Sequence, residues 1–324
     1  MITNLSYWYA SIQEWLMQQV VLPILYITNG MGYADDAITG LDWFLFGLVQ
    51  IFIIAFIFKP LEKWIPADLS HQQLSRGDQV KWISIDIFYT VIHRLGIFKL
   101  ILFLIFADLF FWFDAQLHDL GFHRLNVEGW WPGVTSIPWI SFVIYIVILD
   151  FFEYVYHRAS HHWNWWWQLH ALHHSQKHMT VWTDNRNHVL DDIMHSAFFA
   201  LVALLIGVEP VQFLWIIALS QLIQSWQHGN LNLDHGWLKY VLISPKFHRL
   251  HHAVGMGHEV PGKPGVLGGC NFGILFPWWD MVFKTAIFDT SSYPTGVRGL
   301  SVSNNPAIHQ WQGLVHSLKA FFSK

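Results

Sequence analysis

Of the 324 residues, 53% are hydrophobic and 17% aromatic, while 12% are charged, half of the roughly 25% usual in soluble domains. That leaves too little polar surface for a water-soluble body; with a mean hydropathy of +0.33 it excludes disordered, fibrous and disulfide-framework chains and points to a polytopic membrane protein. A net charge of −4 without a basic cluster excludes nucleic acid as a partner, and the single Cys270 can neither close an internal disulfide nor build a thiolate metal site.

The first 58 residues contain no Lys or Arg. No basic residue precedes the first apolar stretch, so no cleavable signal peptide is expected; residues 12–27 suit an interfacial helix. Five apolar stretches of 15 to 19 residues follow: Leu41–Phe58, Leu95–Phe113, Ile137–Val155, Ile193–Val208 and Val211–Ser225. The last two are short for a hydrocarbon core that takes about 20 residues. Only Gly207-Val208-Glu209-Pro210 joins them, so they read as a tight helical hairpin that crosses part of the bilayer. The Gly/Pro-rich run 254–273 reads as one loop, and 306–324 as a short amphipathic helix. The expected fold is an all-α integral membrane protein with four to five embedded helices, the hairpin among them, and a histidine-rich helical cap facing the cytoplasm.

Orientation comes from the basic residues. Threading the five stretches alternately, with Lys99 counted at the inner boundary, leaves 17 of the 18 Lys and Arg on one side and Arg124 on the other. The expectation is an N-terminus outside and residues 59–94, 156–192 and 226–324 inside.

Of 21 histidines, 14 lie between His157 and His252. His157 and His161 are four apart and share a helix face; His170, His173 and His174 add the three-residue spacing, and His248, His251 and His252 repeat it. His188 and His228 stand singly, while His71, His118, His309 and His316 read as ordinary surface or core residues. Neutral imidazole is the ligand of iron, zinc, copper and nickel. Eight such side chains exceed the four that a tetrahedral zinc accepts, so two metals are the economical solution. A nitrogen-rich, sulfur-free site against a bilayer suits O2-activating iron better than a zinc hydrolase. A metal transporter, the other alternative, places its ligands near the midplane, where only His195 falls.

The run Asp150-Phe-Phe-Glu-Tyr-Val-Tyr-His157-Arg-Ala-Ser-His161, then Leu169-His170-Ala-Leu-His173-His174-Ser175, resembles the histidine-box signature of the fatty acid hydroxylase/sterol desaturase superfamily. So do Arg186-Asn-His188, Gln227-His228-Gly-Asn230, Ser244-Pro-Lys-Phe-His248-Arg-Leu-His251-His252 and the late Asn271-Phe272…Trp279-Asp280-Met-Val-Phe283-Lys-Thr285. The resemblance covers about residues 145–285. It implies a membrane non-haem di-iron oxidoreductase that hydroxylates or desaturates a lipid, with ligands His157, His161, His170, His173, His174, His248, His251 and His252, joined by His188 and His228. Two positions depart from the pattern: Val189 stands where proline is usual, and Lys284 where glycine is common. The implied organisation is an N-terminal membrane region (1–130), a catalytic domain (131–290) and a C-terminal tail (291–324).

Helix geometry puts Glu153 one turn before His157, where a carboxylate can orient the imidazole, with Asp150 a turn further back. No haem, flavin or iron–sulfur module is visible. The partners implied are therefore a lipid substrate, O2 and a separate electron donor, cytochrome b5-like or ferredoxin-like, with two iron ions as cofactors.

Overall fold

Proline and left-handed glycine mark most of the helix boundaries. The computed structural model describes residues 2–70, 74–260, 262–289, 291–300, 303 and 305–323; His71 lies outside them. Helix α1 (Ile2–Leu16) runs through a π turn (Met17–Val21) into α2 (Leu22–Ile27), so the N-terminal helix is longer than the 12–27 expected. Helix α3 (Ala34–Ile53) continues through a second π turn (Ile54–Phe58) into α4 (Lys59–Trp64). Helix α5 (Arg76–Arg94) starts at Ser75, whose hydroxyl accepts from the Asp78 N–H and donates to its carboxylate. Gly96, at φ 72°, then turns the chain into α6 (Ile97–Asp119), bent 48° from α5.

Helix α7 (Pro138–His162) opens on a proline at its first turn, where no hydrogen bond is lost. An extended Trp163 separates it from α8 (Asn164–His174). Helices α9 (Val189–Ile206) and α10 (Pro210–His228) form the expected hairpin. Its turn requires glycine: Gly207 has φ 71°, and a Cβ there would stand 2.3 Å from the Leu125 carbonyl oxygen. Helix α11 (Pro245–His251), strands β1 (Glu259–Val260) and β2 (Lys263–Leu267), and helices α12 (Trp278–Val282) and α13 (Pro306–Phe322) complete the chain. The core sits where α7, α9 and α10 meet, with Tyr145, Leu149, Phe199, Val202 and Ile216 buried together.

Three helical runs are long and apolar enough to cross a membrane: 31–64, 138–162 and 189–206; α5 and α6 make a fourth if taken as one bent span. Helix α10 falls short because Gln212, Gln221, Gln224, Gln227 and His228 dilute its apolar face. Residues 76–94, part of the stretch expected on the inner side, are helical, because the face of Ile85, Asp86, Tyr89, Thr90 and Arg94 buries itself although the segment is not apolar overall. The 254–273 loop contains the antiparallel β1–β2 pair, too short to show alternation in the sequence.

Residues 1–130 hold the histidine-bearing segment in place through buried polar pegs. The Glu62 carboxylate accepts from the backbone N–H of Val181 (2.8 Å) and of Asn230 (2.9 Å). Asp86 accepts from Arg186 and Gln176, each at 2.7 Å. Arg94 donates to Asp184 (2.5 Å), Ser225 (2.9 Å) and the Gln221 carbonyl (2.8 Å). Each peg satisfies groups that would otherwise be buried alone, at about 1–3 kcal/mol apiece.

The close approach of α3 and α5 that delivers Arg94 depends on Gly47: a Cβ there would lie 1.7 Å from the Arg94 carbonyl oxygen. Gly47→Ala is expected to destabilise by about 1–3 kcal/mol through overpacking, read as a lowered unfolding midpoint in detergent. Gly40→Ala, whose Cβ meets nothing within 4 Å, is expected to leave the midpoint unchanged or slightly raised.

Candidate metal centre

Three helix ends and one return helix bring the imidazoles together. His157 and His161 occupy the last two turns of α7, where its apolar run has ended. The break at Trp163 folds α8 back so that His170, His173 and His174 face them. The α9–α10 hairpin returns His228 at its C-terminus, and α11, capped by the Ser244 hydroxyl on the Phe247 N–H, presents His248, His251 and the flanking His252. The rings form contiguous groups: His157, His161, His170 and His174; His173, His228, His248 and His252; and His174, His251 and His252, with ligand atoms within 4.8 Å of one another in each.

Within these groups Nε2 faces Nε2: His161 and His174 at 3.1 Å, His173 and His228 at 3.1 Å, His228 and His248 at 2.9 Å, His248 and His252 at 3.2 Å. Two nitrogens bonded to one ion at about 2.1 Å, subtending 90–109°, stand about 3.0–3.4 Å apart. The observed spacing is that of co-ligands.

The fit to a metal is tested by the ring protons. His157 donates from Nδ1 to the Phe272 carbonyl (2.8 Å), His251 to the Cys270 carbonyl (2.7 Å) and His228 to the Gln224 carbonyl (2.8 Å). His170 points Nδ1 at the Asp191 carboxylate, 3.0 Å away. A carbonyl only accepts, so Nδ1 carries the proton and Nε2 presents a bare lone pair. Nε2 of His157, His170 and His251 is buried with no hydrogen-bond partner among the described residues. Leaving such nitrogens unpaired is costly; a cation satisfies them all. Burial, reinforced by neighbouring imidazoles, holds His173, His174, His248 and His252 well below the ordinary imidazole value, and His251 is lowered to about 3. All are neutral, metal-ready ligands at pH 7.

The predicted supporting residues are placed differently. His188 is not brought to either group: its Nδ1 caps α9 by accepting from the Leu190 N–H (3.1 Å), and its Nε2 donates to the Gln310 carbonyl of α13 (2.7 Å), leaving no lone pair for a metal. Glu153 faces His195 (3.0 Å) rather than His157. Asp150 touches no imidazole; it accepts from Leu275 N–H (2.7 Å), Phe276 N–H (3.2 Å) and Trp279 Nε1 (2.9 Å). Asp150 thereby braces the 270–276 loop, whose carbonyls set His157 and His251, and Asp280 braces the same loop through Phe272 and Gly273 N–H. The orienting carboxylate is Asp191, itself held by Tyr156 and Trp166, both at 2.8 Å; its only sequence signal is its place in the first turn of α9. His258, also unanticipated, is buried and stacks on Trp167, 6.0 Å from the His174 ring. Lys284 takes the left-handed φ of 59° that its usual glycine would favour.

A cavity of about 360 Å³ opens against the centre. His157, His170, His173, His228 and His248 line it, together with apolar side chains from α3, α6, α9 and α10: Trp43, Phe98, Leu102, Phe199, Phe213 and Ile217.

Residues 142–285 match the family model described as fatty acid hydroxylase. The chain is 29% identical over 166 residues to ornithine lipid hydroxylase OlsE of Rhizobium tropici, covering 51% of this chain and 46% of that protein. It is 30% identical over 153 residues to alkylglycerol monooxygenase of Danio rerio, covering 46% and 32%. It is 24% identical over 172 residues to Delta(7)-sterol 5(6)-desaturase ERG3B of Gibberella zeae, covering 53% and 47%. The matched stretch spans less than half the length of each of these relatives. No solved structure matches the chain.

Two outcomes follow from this geometry. Asp191→Ala frees the His170 ring and is expected to weaken metal binding about 10- to 100-fold, measured by competitive titration of the purified protein with Fe2+. The depressed imidazoles mean that below about pH 6.5 the unfolded chain binds protons that the folded chain does not. Stability of the metal-free protein is therefore full above that value and is lost as pH falls, by up to about 1.4 kcal/mol per pH unit for each such ring. Unfolding midpoints taken from about pH 7.5 to about 5.5 should fall steadily; a flat profile would contradict the burial of neutral rings.

Proposed function

On the match of residues 142–285 to the fatty acid hydroxylase family model, we propose that the protein is a membrane oxidoreductase that uses O2 and electrons from a separate donor protein to hydroxylate or desaturate a lipid C–H bond. The observation that carries this is the convergence of nine imidazoles, five of which (His157, His170, His173, His228 and His248) line a cavity with apolar walls. A transporter would string its ligands along a path, whereas these rings form a compact centre at helix ends.

Two irons are assigned to the centre. His157, His161, His170 and His174, with His251 beside them, would hold one; His173, His228, His248 and His252 would hold the other. His188 is outside this set. When bound, the irons supply the O2 reduction and the oxidising power that an unactivated C–H bond demands. The chain supplies the rest. The carbonyls of Cys270, Gln224 and Phe272, with Asp191, keep the ring protons outward and the lone pairs inward. The aromatic and aliphatic wall excludes water and holds an acyl or sterol-like body against the centre, so that positioning rather than acid–base chemistry by side chains selects the bond attacked.

Substrate class is proposed from the relatives, named for an ornithine lipid, an alkylglycerol and a sterol; all are lipids whose bodies dissolve in the bilayer. The lone Cys270 and the lack of a dinucleotide fingerprint in the sequence support a donor on another chain, cytochrome b5-like or ferredoxin-like. The side facing the cytoplasm is proposed to be that of the histidines, with the N-terminus opposite, on the strength of the one-sided distribution of Lys and Arg.

His173→Ala removes a ligand that contacts His228 and lies beside the other group. Iron per purified protein is expected to fall by at least half, and lipid extracts of expressing cells should lose the species shifted by one oxygen or by two hydrogens. Retention of both would overturn the assignment.

A further inference from the structure

The cavity carries a basic side chain that the oxidation chemistry does not use. Lys99, in the first turn of α6, lines it, with Nζ 3.0 Å from the centroid of the Trp43 ring. Four carboxylates line the same cavity, and each has another partner. Glu153 is bound to His195 (3.0 Å), Asp191 to His170 (3.0 Å), Asp184 to Arg94 (2.5 Å) and Asp192 to His93 (3.3 Å). Among the described residues no carboxylate lies within ion-pair distance of Lys99. The Trp43 indole face meets its Nζ, while burial and the neighbouring Arg94 guanidinium both weigh against a bare ammonium at this place. A charged Lys99 therefore calls for an anion beside it.

We propose that Lys99 binds the anionic headgroup oxygen of the lipid substrate, a carboxylate or phosphate, while the apolar wall of Phe98, Leu102, Phe213 and Ile217 takes the chain. Lys99 is a specificity-determining residue: its ammonium donates to the headgroup oxygens, and Trp43 holds it in place from the other side. With the headgroup anchored there and the metal centre on the same cavity, the separation of the two decides which carbon of the chain is presented. The claim that the cavity admits the substrate rests on the oxidoreductase reading; the headgroup chemistry rests on Lys99 alone.

The test is binding, independent of turnover. Full-length protein in nanodiscs of neutral phosphatidylcholine is titrated with oleate, oleyl phosphate, oleyl alcohol and inorganic phosphate, and the shift of the unfolding midpoint gives apparent affinities. The wild type is expected to prefer oleate and oleyl phosphate over oleyl alcohol by about ten-fold, the scale of one good charged contact. Lys99→Met should reduce that ratio to about one, Lys99→Arg should keep it, and exposed Lys81→Met should leave it unchanged. Should Lys99→Met not fold, Lys99→Gln carries the same comparison. An anion preference that persists in Lys99→Met, or is lost equally in Lys81→Met, overturns the proposal, as does inorganic phosphate binding as tightly as oleyl phosphate. His173→Ala, run alongside, separates the two readings: loss of iron and oxidation with the anion preference intact leaves the headgroup site standing, and an unchanged iron content with no Lys99 dependence removes the headgroup site alone.

Discussion

An imidazole that is to bind a metal must keep one nitrogen bare, and in a protein interior that requires its other nitrogen to give its proton to something fixed. Four of the nine rings have such an acceptor: the Phe272, Cys270 and Gln224 carbonyls serve His157, His251 and His228, and the Asp191 carboxylate serves His170. Two of these carbonyls sit in the 270–276 loop, and the loop's own N–H groups are bound by Asp150 and Asp280. The late segment of the chain thus owes its place to its carbonyls rather than to any ligand of its own. An acidic residue on α7 and another on α12 act on the metal centre at one remove, through main chain.

That arrangement explains what was legible in the sequence. Spacings of three and four residues put His157 with His161, and His170 with His173 and His174, on shared faces because helix geometry alone dictates it. The return of the third group needed only the α9–α10 hairpin, which its apolar composition and its Gly-Val-Glu-Pro turn announce. The supporting partners were not legible. Glu153 is one turn from His157, yet it turns to His195 on a neighbouring helix; Asp191 reaches His170 across 21 residues; and His188 is claimed by Gln310, 122 residues away. Such pairings are set by which helices pack together, and local periodicity carries no record of that.

The first 130 residues show the same limit from the other side. They resemble no named pattern, and α5 carries no apolar run that marks it, because the residues that matter in it are charged. In the fold those charges turn inward onto the catalytic segment: Asp86 to Arg186 and Gln176, and Arg94 to Asp184, which stands 3.6 Å from Nδ1 of His228. Buried ion pairs seldom add net stability, but losing one partner strands the other, so they enforce a single register between the two parts of the chain. The N-terminal helices are therefore part of how the group of His173, His228, His248 and His252 is held, and the membrane region cannot be treated as an anchor separable from it.

Placing the centre at helix ends also resolves a conflict between its two environments. The lipid proposed as substrate would enter from the bilayer, where polar groups are costly, while ligand nitrogens need polar acceptors behind them. Helices α7 and α10 meet both needs along their length. Phe213 and Ile217 of α10 wall the cavity, and the last turns of the two helices carry His157, His161 and His228. His157 gives its Nδ1 proton to the Phe272 carbonyl of a loop, and His228 to the Gln224 carbonyl one turn back in its own helix. The helix lengths of 25 and 19 residues are in this sense part of the site, because they set the depth at which a greasy substrate and a neutral nitrogen cage can meet.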